Sequence, residues 1–252
     1  MRKSFCSLIS FLLFSLLACG AASAHWYVAP TGNDANNGSK RKPLKTIAAA
    51  LQRVNPGDTV FLREGSYGEF VVPTRSGKPG KMITLKSYPG EIAKIDGSDL
   101  YIKGWGNALV QVNNIDYMQF ENLHICHAHD SENNTDPEGI YITGTSGNIT
   151  FRGCKVYDIK NDCPLVDAKG DWRSAHAILV LGTDDNTPIR NLLIEKCEIF
   201  EIHSGTSEAF TLAGNVVDFT IQDNEVHDVE NIGIIIAGAV SYTHLRAHET
   251  KA

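Results

Sequence analysis

Four ten-residue stretches of this 252-residue chain lie on one another without a gap, beginning at Met118, Ile149, Leu192 and Phe219. Their first, third and eighth columns are apolar throughout: Met118/Ile149/Leu192/Phe219, Phe120/Phe151/Ile194/Ile221 and Ile125/Val156/Ile199/Val226. Alternation with a period of two is strand periodicity, and the break between the third and eighth columns predicts a bend. The sixth column, Leu123/Cys154/Cys197/Asn224, sits at that bend. Between these stretches runs a second set, opened by Gly139, Ala177, Ala209 and Gly233 and closed by Gly144, Gly182, Gly214 and Gly238. Its strands start at Ile140, Ile178, Phe210 and Ile234. One coil therefore needs about two dozen residues, and longer coils carry inserted loops.

Short strands with one apolar face each cannot bury that face alone, whereas stacking equivalent strands in parallel makes a continuous core. The expected fold is all-β, a right-handed parallel β-helix. A leucine-rich repeat is excluded because no L-x-x-L-x-L register runs through the columns. Helical repeats are excluded because the apolar spacing is two, not three to four. The N-terminal end of such a solenoid must be covered. The segment Leu44 to Val54 is the expected cover: Ile47, Ala50, Leu51 and Val54 fall at helical spacing, and Asn55-Pro56-Gly57 stops the helix. Strands at Thr59 to Leu62, Phe70 to Val72 and Met82 to Leu85 then begin the coils.

Residues 1–24 read as an export signal, with Arg2 and Lys3 at the charged start, Phe11 to Leu17 as the apolar stretch, and Ala22-Ser23-Ala24 as the cleavage pattern. The alternative is lipidation at Cys19, within Leu16-Leu17-Ala18-Cys19. Beyond this stretch no apolar run reaches the ~20 residues needed to span a bilayer. A protein secreted, periplasmic or held at the cell surface is expected. Residues 25–240 form the one solenoid domain. With 23 Lys+Arg against 29 Asp+Glu the formal net charge is -6, and the basic footprint of a nucleic-acid binder is missing. Cys126, Cys154, Cys163 and Cys197 show no CxxC or zinc spacing, and the repeat makes Cys154 and Cys197 small buried hydrophobes.

The stretch Tyr27-Val-Ala-Pro-Thr-Gly-Asn-Asp-Ala-Asn-Asn-Gly-Ser39, followed by Pro43-Leu-Lys-Thr-Ile47, Pro56-Gly-Asp-Thr-Val60 and Gly65-Ser-Tyr67, resembles the cap of secreted right-handed β-helix proteins similar to polysaccharide lyase family 9 pectate lyases. The resemblance covers roughly residues 26 to 239. It implies a Ca2+-dependent lyase that cleaves acidic polysaccharide by β-elimination, with a Lys as base and aspartates around the metal. Of the family's two acidic segments, Glu208-Ala209-Phe210 matches the first in charge, while in Asn231-Ile232-Gly233-Ile234-Ile235 only Asn231 is an oxygen ligand. Ile232 and Ile235 cannot serve a cation that takes six to eight oxygens. The family's base lies on later coils, so the expectation is a solenoid cut short. Residues 241–252 leave the repeat and resemble a translated sequencing-adapter tail.

Immediately before the small residue that opens each strand of the second set stand Glu138, His176, Glu208 and Ile232. Stacked coils lie ~4.8 Å apart, so Glu138 and Glu208 are expected to flank His176 at the rim of a loop-walled cleft. Such a column suits a cation held by Glu138, Glu208 and Asn231. It equally suits proton transfer by His176 or Glu208, or plain solvated turn residues. Trp172 and Arg173, in the insert from Lys160 to Ser174, are candidates for a sugar ring and a uronate carboxylate; Trp172 alternatively folds that loop onto the solenoid. A further column, His127/Asp158/Glu201/Asp228, reads as a solvated face. Two functions follow: a lyase-like enzyme on acidic polysaccharide, or a carbohydrate-binding β-helix without catalysis.

Overall fold

A computed structural model of the protein describes residues 23–102, 106–132, 135–164 and 172–238, and the backbone of 244–246. The export signal, Cys19 included, lies outside the described residues apart from Ser23 and Ala24. In chain order the elements are β1 (His25–Val28), α1 (Ile47–Leu51), β2 (Thr59–Leu62), β3 (Gly65–Tyr67), β4 (Ile83–Ser87), β5 (Ala93–Asp96) and β6 (Val110–Asn113). Then come β7 (Asp116–Glu121), β8 (His124–Asp130), β9 (Glu138–Thr143), β10 (Gly147–Arg152), β11 (Lys155–Asn161) and β12 (His176–Gly182). The last are β13 (Ile189–Glu195), β14 (Glu198–His203), β15 (Glu208–Gly214), β16 (Val216–Gln222), β17 (Glu225–Val229), β18 (Ile232–Ala237) and β19 (His244–Arg246).

These strands make three parallel sheets wound as a right-handed β-helix. The first runs β1-β2-β4-β7-β10-β13-β16-β19, the second β3-β5-β8-β11-β14-β17, and the third β6-β9-β12-β15-β18. The sequence columns are the rungs. Ile149 pairs with Met118 and Leu192, Val156 with Ile125 and Ile199, and Ile178 with Ile140 and Phe210. Ile234 pairs with Phe210. All four first-column residues are buried, and Phe120 and Phe151 stack with ring centroids 4.4 Å apart.

The corners are turned by residues in the left-handed region. Asn122, Gly153, Lys196 and Asp223 stack at one corner with φ of 53°, 61°, 54° and 54°. They are the fifth column, so the bend falls one residue before Cys154 and Cys197, which point inward and are buried. A Cβ built at Gly153 would lie 2.5 Å from Asn122 Oδ1, so a larger residue there would have to displace the Asn122 amide, and glycine takes the left-handed φ without strain. Asn224 ends the inner column by serving two backbone groups, accepting from Cys197 N at 2.9 Å and donating to Ile194 O at 2.9 Å.

In-register stacking also puts outward side chains directly over their equivalents, where like charges would repel. On the first sheet the charges alternate instead: Lys86 meets Glu121, Glu121 meets Arg152, Arg152 meets Glu195, and Glu195 accepts from Gln222.

The capping helix is shorter than the apolar spacing suggests. Thr46 is its N-cap, accepting from Ala49 N, and Leu44 bridges to Val28 instead of entering the helix. The four cap residues Ile47, Ala50, Leu51 and Val54 are nonetheless buried. The strand expected at Phe70 to Val72 reduces to a single bridge between Val71 and Val110. In the segment after 240, the backbone of β19 pairs in parallel with Thr220–Gln222 of β16.

Replacing Phe151 by Ala removes a fully buried ring from the middle of the stack. It is expected to lower unfolding stability by ~3–5 kcal/mol, read as a shift of the denaturant midpoint, with Phe151→Leu costing clearly less.

Candidate functional site

The third sheet positions the site through a one-residue slip. Along β12 both Ala177 and Ile178 are fully buried, as are Ala209 and Phe210 along β15. A Cβ on Gly139 would lie 2.7 Å from Val156 Cγ1, so that position also faces the interior. Two successive inward residues fit only if the first is small, which is why Gly or Ala opens each strand. The slip puts His176 on the same outer face as Leu179 and Leu181, and Glu208 on that of Thr211 and Ala213. Together with Trp172 these residues line an open groove of about 390 Å³.

Within it runs a chain of hydrogen bonds. Asp136 Oδ1 lies 2.9 Å from His176 Nδ1, and Ser207 Oγ lies 2.9 Å from His176 Nε2. Ser207 donates to Glu208 Oε2 at 3.0 Å, and Thr211 donates to the same oxygen at 3.0 Å. Ser207 has one hydrogen: it goes either to Nε2, or to Glu208 while Nε2–H donates to Ser207. The two arrangements differ by a rotation of the serine hydroxyl and by the proton on Nε2, with Asp136 holding the ring at its other nitrogen.

The rung order Glu138, His176, Glu208 is as the columns predict, but the carboxylate on the imidazole is Asp136, not Glu138. Glu138 is wholly buried, its Oε1 accepting from Gly106 N at 3.3 Å and its Oε2 without a partner among the described residues. Burial, reinforced by the nearby Asp136 carboxylate, pushes its carboxyl up to about 9. It therefore sits neutral below the groove, not at its rim. Trp172 is half-buried and lines the groove. Arg173 is committed elsewhere, Nη2 to Glu230 Oε1 at 2.9 Å and Nη1 to Cys163 O at 3.2 Å. Asn231 takes a left-handed conformation and donates to Ser207 O at 2.9 Å, bracing the serine's backbone.

Calcium does not fit this set. Glu138 is buried and uncharged, which leaves Glu208 and Asn231 where six to eight oxygens are required. Among the described residues, the one trio of His, Cys, Asp and Glu ligand atoms that converges is Asp96, Cys126 and His127, on the second sheet. The column His127/Asp158/Glu201/Asp228, expected as a solvated face, proves to be a corner: all four have φ between 50° and 62°. Asp136 and Ser207 escaped the columns because each lies in a join between strands, and the one signal that could have found them is that they stand within two residues of Glu138 and Glu208.

A rod of parallel coils with a hydrogen-bonded carboxylate, imidazole and hydroxyl cluster in a groove on one face defines the class as a right-handed parallel β-helix protein, a fold that does not by itself fix a function. Residues 26–184 match the family described as Pel9A-like, right-handed beta helix region, and the chain belongs to it. It is 33% identical over 213 residues to the uncharacterized protein YwoF of Bacillus subtilis (strain 168), covering 84% of this chain and 43% of that one. It is 26% identical over 147 residues to pectate lyase PEL9 of Emericella nidulans, covering 54% and 34% respectively. The chain thus spans less than half the length of these curated relatives. The crystal structure of pectate lyase Pel9A superposes with a TM-score of 0.55 at 20% identity, covering 82% of this chain and 56% of that one, which attests the fold.

Glu138 carries a testable pH signature. Its folded-state affinity for a proton is raised, so the unfolded chain binds fewer protons between roughly pH 4.5 and pH 9, and stability falls across that window by about 1.4 kcal/mol per pH unit. Thermal melts of Glu138→Gln, which stays neutral, are expected to match the parent near the acid end of the window. They should exceed it by several degrees at the alkaline end.

Proposed function

We propose that this chain is the β-helix part of an exported protein that acts on an acidic polysaccharide, and that the groove on the third sheet is where the polymer lies. The observation that carries this reading is the Asp136–His176–Ser207–Glu208 hydrogen-bond chain, set in an open groove beside Trp172. The groove is open to solvent, and an indole is a platform for a sugar ring.

The reaction is β-elimination at a uronate. A base takes the proton from C5, the electrons of that bond form the C4=C5 double bond, the C4–O bond breaks, and the departing oxygen takes up a proton. His176 is the base. Asp136 holds the ring in position and stabilises the positive charge that the imidazole gains. Ser207, hydrogen-bonded to both His176 and Glu208, connects the base to a second acid–base group. The family membership supports polysaccharide as the substrate class.

A second reading has its own support: the groove lining contains no Lys or Arg among the described residues, so a uronate carboxylate finds no cationic partner there. In that reading the chain holds the polymer without breaking it.

One experiment separates them. The protein is incubated with pectate, with alginate and with a neutral glucan, with and without added Ca2+, while the ultraviolet absorbance of unsaturated product and retention on immobilised polymer are followed. The catalytic reading expects product from an acidic polymer and a rate roughly 10²–10⁴-fold lower for His176→Ala. Retention without product would shift the assignment to binding. Neither product nor retention on either acidic polymer, or an unaltered rate in His176→Ala, would overturn the proposal.

A further inference from the structure

We propose that Asp96, Cys126 and His127 form a binding site for a thiophilic divalent ion of the Zn2+ kind on the outer face of the second sheet, separate from the groove. The solenoid's register builds it. Asp96 of β5 pairs with Cys126 of β8, so their side chains stand side by side on neighbouring rungs. His127 follows in the left-handed conformation, φ 62°, which turns its ring back across the preceding rung. Its Nδ1 comes within 2.8 Å of Asp96 Oδ1, and the three ligand atoms lie within 4.8 Å of one another. Tetrahedral zinc, with bonds of ~2.0–2.3 Å, holds its ligands roughly 3.3–3.8 Å apart. Admitting the ion therefore asks the Asp96–His127 pair to part by about half an ångström to one ångström.

The surroundings are those that a metal-bound imidazole uses. Asp158 Oδ2, which lies 2.9 Å from His129 Nε2, stands 3.7 Å from His127 Nε2, so a carboxylate neighbours the nitrogen that does not bind and would have to move a few tenths of an ångström to accept its proton. Ser98 Oγ sits 2.6 Å from Asp96 Oδ1 and 3.1 Å from His127 Nδ1, on the open side where a fourth ligand belongs. Tyr157, on the next rung, is the residue in register with Cys126. Access is from solvent, since the His127 side chain is 30% exposed. Cys126, by contrast, is fully buried.

A surface hydrogen-bond network of Asp, His and Ser would be complete without a thiol at its base. The thiol is what selects the ion: sulfur with imidazole suits Zn2+ and Co2+, whereas Ca2+ and Mg2+ take oxygens. Binding forms the metal–sulfur bond and releases the thiol proton to solvent.

The test uses the protein stripped of metal by a chelator. Co2+ is expected to bind at one equivalent with a thiolate-to-metal charge-transfer band, and Zn2+ to displace it and raise Tm. Ca2+ should do neither. Cys126→Ser should abolish the band. His127→Asn, which keeps a residue tolerant of the left-handed backbone, should weaken Zn2+ affinity at least tenfold in calorimetry, and Asp158→Asn by about tenfold. His176→Ala should bind the metal as the parent does, which keeps this proposal distinct from the groove's. Absence of the band in the parent protein, or Zn2+ affinity unchanged in both Cys126→Ser and His127→Asn, would overturn it.

Discussion

Everything in this molecule depends on coils lying in register, each backbone pairing with the one below and the one above. Once that pairing is set, every side chain has an equivalent about 4.8 Å away along the axis, and each position must be compatible with its own repetition. Inside, Phe120 lies on Phe151 and Ile178 between Ile140 and Phe210, which is favourable for apolar groups of similar shape. Outside, repetition of one charge would be unfavourable, and the first sheet answers with alternating Lys, Glu, Arg and Glu. The two faces of one strand thus obey opposite rules: likeness within, alternation without.

The same constraint makes the chemistry. A strand that kept perfect alternation would send His176 into the core along with Ile178. The small residue between them absorbs an extra inward position, and the imidazole emerges on the surface. Inserts before β9 and β15 then bring Asp136 and Ser207 to its two nitrogens. Glu138, one rung away at the equivalent position, is wholly buried, accepts from Gly106 N and loses its charge. Equivalent positions on successive rungs have therefore become a buried neutral acid, a hydrogen-bonded imidazole and a groove carboxylate. Neighbouring loops, not the strand sequence, set these three states.

The rungs were legible in the sequence because apolar columns report directly on what stacks: the pairings of Ile140, Ile178, Phe210 and Ile234 follow the alignment residue for residue. The corners were half legible. Asn122, Gly153 and Asp223 belong to the types that adopt the left-handed conformation readily. Lys196, Glu201 and His127 take it as well, at positions stacked on other left-handed residues of neighbouring rungs. The early strands β1, β3, β5 and β6 escaped notice since a single short strand has no period to display. In the site, His176, Glu208 and Trp172 were found from their columns and their insert and do line one groove. Asp136 and Ser207 were not, because a loop residue's partner is decided by how the loop folds back, which leaves no periodic trace.

The left-handed corners have a consequence for how such a protein can change. They close each turn independently of what is spliced between one strand and the next, so β8 and β9, or β11 and β12, keep their places whatever length of chain joins them. Both of those joins open onto the flank that carries His176. The lining of that flank is therefore free to drift by gain and loss of residues in the joins, while the rod that supports them is inherited unaltered.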